Sequence, residues 1–241
     1  MRFSNDGYYL AIGGASNSLT ILNAYEPFTL NRTMAPIHTL TATNVVGLDF
    51  SNDSTKFIAC GAASSGGGRL SMYTVDPLLA WTPTTASPLN MNPAANAAID
   101  CRISPFNGHV AVVIASKITV FDSTLVTTIG TTTVSSSFSK VAFDPLASQL
   151  VYIDLSASKL MNWVIGGGAP TQLTGPSTAL ADSDFMFNGK YIAAGGTAKI
   201  LYIFNGSRVS YERWITGDVI KGVVFTRDAI NPKLYAGDNS G

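Results

Sequence analysis

Charge is scarce in this chain. Lysine, arginine, aspartate and glutamate together make up 12% of its 241 residues, about half of the ~25% usual in globular domains, and the two signs balance at 15 each. A neutral surface lacks the field that draws nucleic acid or an anionic membrane, so neither partner is expected. Histidine occurs twice, as His38 and His109, and glutamate twice, as Glu26 and Glu212. Hydrolytic metal centres need clustered histidines and carboxylates, and these four residues are scattered. His38 and His109 therefore read as surface or hydrogen-bonded side chains. The two cysteines, Cys60 and Cys101, are too few for a disulfide framework. Both sit in apolar segments, Phe57-Ile58-Ala59-Cys60 and Ile99-Asp100-Cys101-Arg102-Ile103, where a free thiol packs as a small hydrophobe. No stretch nears the ~20 apolar residues of a membrane-spanning helix, so no membrane insertion is expected. Met1-Arg2-Phe3 leads directly into patterned sequence, without the shape of a signal peptide.

What the chain has instead is serine, threonine, asparagine, glycine and a recurring phrase. Phe3-Ser4-Asn5-Asp6-Gly7 precedes Tyr8-Tyr9-Leu10-Ala11-Ile12-Gly13, and Phe50-Ser51-Asn52-Asp53-Ser54 precedes Lys56-Phe57-Ile58-Ala59-Cys60-Gly61. Ile103-Ser104-Pro105-Phe106-Asn107-Gly108 precedes Val110-Ala111-Val112-Val113, and Phe143-Asp144-Pro145 precedes Leu150-Val151-Tyr152-Ile153. Phe187-Asn188-Gly189 precedes Tyr191-Ile192-Ala193-Ala194-Gly195, and Phe225-Thr226-Arg227-Asp228 precedes Lys233-Leu234-Tyr235-Ala236-Gly237. The anchors stand roughly 38 to 53 residues apart, on average near 44, which is the period of a propeller blade.

Each unit carries four strand candidates. In the second unit these are Val45–Phe50, Lys56–Cys60, Arg69–Val75 and a weaker segment near Pro88–Met91. Third strands recur at Leu19–Asn23, Lys117–Asp122, Lys159–Trp163 and Lys199–Phe204, rich in the β-branched and aromatic residues that suit strands. Fourth strands are looser, at Ile37–Leu40, Val126–Ile129, Thr171–Leu173 and Arg213–Ile215. No amphipathic helix stands out. Four-stranded units at this period stack radially, so the expectation is an all-β fold: a β-propeller of four-stranded antiparallel blades, one domain over residues 1–241. Five blades are expected, with Val219–Val224 completing the blade begun at the N-terminus. The alternative is six, the last incomplete or completed by another chain.

The Ser-x-Asp-Gly turn followed by Tyr-Leu-Ala-Ile-Gly-Gly resembles the WD-repeat propellers in their degenerate form. It departs from the strict form in that no Trp-Asp pair ends a third strand, although Phe121-Asp122 comes close. Phe3 to Ala11, followed by Leu19-Thr20-Ile21-Leu22 and the aromatic loop Tyr25-Glu26-Pro27-Phe28, is similar more narrowly to propeller repeats of tailed-phage virion proteins. That resemblance implies a non-enzymatic, tail-associated structural protein of the virion. It would be made in the host cytoplasm and would dock onto other virion subunits or a host surface receptor. A cellular WD-repeat-like interaction scaffold is the alternative, and a propeller hydrolase or lactonase-like enzyme the third.

Propeller enzymes place carboxylates around a central channel, which singles out Asp49, Asp100, Asp182 and Asp184 on or beside first strands. Their offsets differ: Asp49 and Asp100 stand one and three positions before their anchors, and Asp184 three before Phe187. The alternative to a calcium ring is that they bond backbone amides. Asp6, Asp53, Asp144 and Asp228 fall in turns, where aspartate bonds its own backbone. The runs Gly66-Gly67-Gly68 and Gly166-Gly167-Gly168 link hairpins and lack the strand-to-helix context of a phosphate loop. No catalytic residue and no cofactor follows from the sequence. Trp163 and Trp214, on strands, are expected to pack between blades. Trp81, in the uncharged linker Asp76 to Asn96, is the residue expected to make an exposed contact.

Overall fold

Runs such as Phe57-Ile58-Ala59-Cys60 and Val110-Ala111-Val112-Val113 are apolar on both alternating faces, a pattern that suits a strand covered on two sides. In the computed structural model each is the second strand of a sheet. The structure describes residues 1–14, 19–23, 42–63, 68–75, 82–84, 89–92, 98–114, 116–134, 138–146, 148–154, 159–173, 180–186, 189–205, 211–226 and 231–238. The chain divides into two compact units, Met1–Ile129 and Gly130–Gly241.

In the first unit, β1 (Arg2–Phe3), β2 (Tyr9–Gly13) and β3 (Leu19–Asn23) form one sheet in that order. β4 (Ala42–Phe50), β5 (Lys56–Ala63), β6 (Gly68–Thr74) and β7 (Thr82–Pro83) form the next, and β8 (Leu89–Asn92) also pairs with β6. β9 (Ala98–Ile103), β10 (Val110–Ile114), β11 (Lys117–Phe121) and β12 (Thr128–Thr133) form the third, β12 running through the division of the chain. In the second unit, β13 (Phe138–Phe143), β14 (Gln149–Asp154), β15 (Lys159–Val164) and β16 (Thr171–Gln172) make the fourth sheet. β17 (Leu180–Phe185), β18 (Tyr191–Gly196), β19 (Ile200–Asn205) and β20 (Tyr211–Ile215) make the fifth. β21 (Ile220–Phe225) and β22 (Leu234–Asp238) pair alone in the sixth. No helix occurs among the described residues. The fold is all-β, built of successive antiparallel sheets, several of them four-stranded.

Register fixes the repeat more sharply than the sequence does. The pairs Phe3↔Leu10, Phe50↔Phe57, Ile103↔Val110, Phe143↔Leu150, Phe185↔Ile192 and Phe225↔Leu234 occupy one equivalent position in all six sheets. In the fifth sheet the anchor is thus Phe185 and not the expected Phe187, which with Asn188 lies outside the described residues. A backbone bond one residue beyond each anchor confirms the frame: Ser4, Ser51, Ser104, Asp144, Met186 and Thr226 donate to the carbonyls of Tyr9, Lys56, His109, Gln149, Tyr191 and Lys233.

Two expectations change. The five-blade closure needs Val219–Val224 in the N-terminal sheet, but β21 pairs with β22 from Ile220↔Asp238 to Phe225↔Leu234. The Lys233 amide closes this hairpin onto Thr226 Oγ1 (2.8 Å), so Leu234-Tyr235-Ala236 becomes the second strand of a sixth sheet. The fourth strand expected at Val126–Ile129 lies at Thr128–Thr133, because Asp122 holds Leu125 and Val126 in a turn. The fourth strand expected at Ile37–Leu40 lies outside the described residues.

The cores lie between successive sheets of each unit. Alternate residues of β5 serve two of them: Phe57 and Ala59 join Leu19, Ile21, Leu48 and Tyr73, while Ile58 and Cys60 join Cys101, Ile103, Val110 and Val112. The Phe57 ring sits 4.8 Å from that of Phe50 and 6.1 Å from that of Tyr73. Burying each such side chain stabilises the fold by about 1.5–3 kcal/mol. In the second unit, Val151, Ile153, Phe185, Ile192 and Phe204 fill one layer, and Ala193, Leu201, Ile220, Val223 and Phe225 the next.

Candidate functional site

The turns after the first four anchors are held by side-chain hydrogen bonds. Ser4 Oγ donates to Asp6 Oδ1 (2.6 Å) and accepts the Tyr9 amide (2.9 Å), while Asp6 Oδ1 also accepts the Tyr8 amide (3.0 Å). The second turn repeats this with Ser51 Oγ to Asp53 Oδ1 (2.5 Å), Lys56 N to Ser51 Oγ (2.9 Å) and Thr55 N to Asp53 Oδ1 (3.1 Å). Desolvation pushes the Asp53 carboxyl up, but the Ser51 and Thr55 hydrogen bonds outweigh it and hold the group below the usual aspartate value. In the third turn Asn107, one position further on, takes over the aspartate's role, accepting the His109 amide at Oδ1 (3.1 Å) and donating from Nδ2 to His109 Nδ1 (3.0 Å). His109 is thereby a hydrogen-bonded turn residue, as expected. Asp144 stands where serine stands in the first three turns and accepts the Ser148 and Gln149 amides (2.8 and 3.0 Å). Asp228, His38 and Glu26 lie outside the described residues.

The first-strand carboxylates do different work. Asp49, almost wholly buried, accepts Arg2 Nε at Oδ1 and the Ile103 amide at Oδ2, both at 2.9 Å. One side chain therefore joins β1, β4 and β9, the first strands of three successive sheets. Asp182 repeats the arrangement in the second unit: its Oδ2 accepts Lys140 Nζ (2.9 Å) from β13 and the Val223 amide (3.0 Å) from β21. Asp184 Oδ2 accepts the Phe225 amide (2.9 Å). With the anchor at Phe185, Asp184 stands one position before it and not three. It is then the counterpart of Asp49, since each accepts the amide of the next sheet's anchor. Asp100 pairs with Arg102 Nη1 (3.1 Å), which also donates to the Leu48 carbonyl (3.3 Å) in the preceding sheet.

Of the carboxylates singled out for a calcium ring, Asp49, Asp182 and Asp184 are thus fasteners between neighbouring first strands. Period-2 alternation puts positions one and three before the anchor on the same strand face, and at Asp49, Asp182 and Asp184 that face meets the next sheet. Each buried carboxylate is compensated by a cation or by amide donors, the condition for burying charge at tolerable cost. Among the described residues, no three His, Cys, Asp or Glu side chains converge as a metal would need. Glu212 is exposed on β20.

The other surface feature is apolar. Phe106 and Leu146, at the tips of the third and fourth turns, are each 72% exposed, and each stands three positions past its anchor, where Asp6 and Asp53 stand in the first two. On β20, Trp214 is 57% and Ile215 85% exposed. This corrects the expectation that Trp214 packs between sheets: β20 is the last strand of its sheet, and Glu212 to Ile215 are all exposed. Trp163 is buried on β15, as expected. Trp81 and the loop residue Phe28 lie outside the described residues. Sequence reasoning missed Phe106 and Leu146 because it treated the turns as polar; the signal was a bulky apolar residue beside Pro105 and Pro145 where aspartate otherwise sits. No family model matches the chain, and no curated protein matches it.

Proposed function

We propose that the six sheets are successive blades of a β-propeller, and that the chain is a non-enzymatic interaction protein of a virion, associated with its tail. It docks onto other virion subunits or a host surface. Six blades accord with the recurrence of one anchor register in every sheet, including the last pair β21–β22. The virion assignment rests on the likeness of Phe3–Ala11 and Leu19–Leu22 to tailed-phage repeats. The observation that carries the interaction role is the exposure of Phe106 and Leu146 on turn tips in a chain with little charge. Exposed bulky apolar groups in a polar surround are the usual anchors of protein contacts. Asp49, Asp182 and Asp184, committed to backbone amides and cations of neighbouring sheets, and Asp100, paired with Arg102, are poorly placed to serve as acids, bases or ligands.

The test is particle association. Purified particles are expected to contain the protein by mass spectrometry. Phe106→Ser is expected to weaken its incorporation at least tenfold, the ~1.4 kcal/mol or more of a lost interface anchor, while leaving the thermal midpoint unchanged. Absence from particles, with stable capture of a cellular complex instead, would establish the scaffold alternative.

A further inference from the structure

Cys60 lies on β5, the second strand of the second sheet, and Cys101 on β9, the first strand of the third sheet, both in the first unit. Gly47 on β4 is the cross-strand partner of Cys60. A Cβ placed on Gly47 would lie 2.6 Å from Cys60 Sγ, 3.0 Å from Cys101 Sγ and 2.6 Å from the Cys101 amide nitrogen. The missing side chain is what lets both sulfurs and the β9 backbone meet at one point between the sheets. The space left open at Gly47 thus borders both sulfurs. Both are fully buried among Ile58, Leu70, Met72 and Val112.

We propose that Cys60 and Cys101 are a latent cross-link site between these two sheets, closed by a peroxide oxidant. The sealed apolar surroundings favour a small uncharged oxidant over a bulky charged disulfide. One cysteine, as thiolate, attacks a peroxide oxygen: an S–O bond forms, the O–O bond breaks, and the departing hydroxide takes a proton to leave as water. The second cysteine's sulfur then attacks the sulfenic sulfur, the S–S bond forms, the S–O bond breaks and a second water leaves. Two thiols are oxidised and one hydrogen peroxide is reduced. Burial, the neighbouring thiol and the Asp100 carboxylate all push the Cys101 thiol up from its ordinary value, so the reaction speeds up as pH rises. Closure brings the two sulfurs to the ~2.05 Å of a disulfide bond.

The experiment exposes the folded, reduced protein to hydrogen peroxide and measures intact mass. The expected result is a loss of about 2 Da per chain, the signature of one disulfide, reversed by dithiothreitol. Tryptic digestion without reduction should yield residues 57–69 linked to residues 70–102. Cys101→Ala, which keeps the site small and apolar, should abolish the loss. Four results would overturn the proposal: stepwise gains of about 16 Da without cross-linking, a covalent dimer, a persistent loss in Cys101→Ala, or no change in peroxide that fully oxidises the denatured chain.

Discussion

Asp49 shows how much a single residue can hold. Its two oxygens take one donor each from β1 and β9 while the side chain sits almost wholly out of water. Asp49→Ala strands the Ile103 amide in the interior and leaves Arg2 without this partner. The expected cost is about 2.5–6 kcal/mol, the sum of a lost charged hydrogen bond and an unsatisfied buried donor; urea denaturation measures it, and a change within ~0.5 kcal/mol of zero, typical of surface positions, would refute the role. Asp122 works locally. Desolvation raises its pKa, but hydrogen bonds from Thr124 Oγ1 and the amides of Val126, Thr127 and Thr124 outweigh it and bring it from 3.8 down to about 2. A carboxyl depressed in the fold gives stability that is complete above its unfolded value and is lost as pH falls through the folded one. The turn holding Leu125 should therefore loosen between roughly pH 4 and 2. Carboxyl-carbon NMR should place the Asp122 midpoint near 2; a midpoint near 3.8 would mean the turn is not formed in solution.

At the scale of strands, legibility followed burial. Second strands such as Val110–Ile114 are buried along their whole length and read as unbroken apolar runs. The fourth strand Thr128–Thr133 buries one side chain in six, so its bounds were misjudged. The fifth anchor was misassigned because Phe185 and Phe187 both suit the position, and only the pairing of Phe185 with Ile192 decides between them. The candidate carboxylates were visible in the sequence, but their partners were not: the Ile103 amide lies 54 residues from Asp49 and the Phe225 amide 41 from Asp184. Backbone donors carry no side-chain signature. Close strand approach makes a further prediction. A Cβ on Gly61 of β5 would lie 1.8 Å from the Asn44 carbonyl oxygen of β4, and neither backbone can retreat without breaking the ladder. Gly61→Ala should cost about 3 kcal/mol, the upper end for overpacking, or shift the β4–β5 register. Denaturant midpoints and amide exchange at Val45 and Leu48 would read this, and a wild-type midpoint would contradict it.

For the molecule as a whole, balanced and sparse charge sets the response to salt. Partner binding through apolar turn tips should change less than about threefold between 50 and 500 mM salt, since screening acts on exposed charges; isothermal titration measures this, and a tenfold loss would point to an electrostatic interface instead. The sheets follow chain order, so each completes its ladder from a contiguous stretch of chain. The carboxylate fasteners do not share that locality: Asp49 waits for an amide 54 residues downstream. During synthesis at ~5–20 residues per second, a finished sheet would spend several seconds with its acidic staple open to water before its neighbour clears the ribosome. Within each unit, a newly arrived sheet therefore seals the one before it, and assembly acquires a direction from the order of translation.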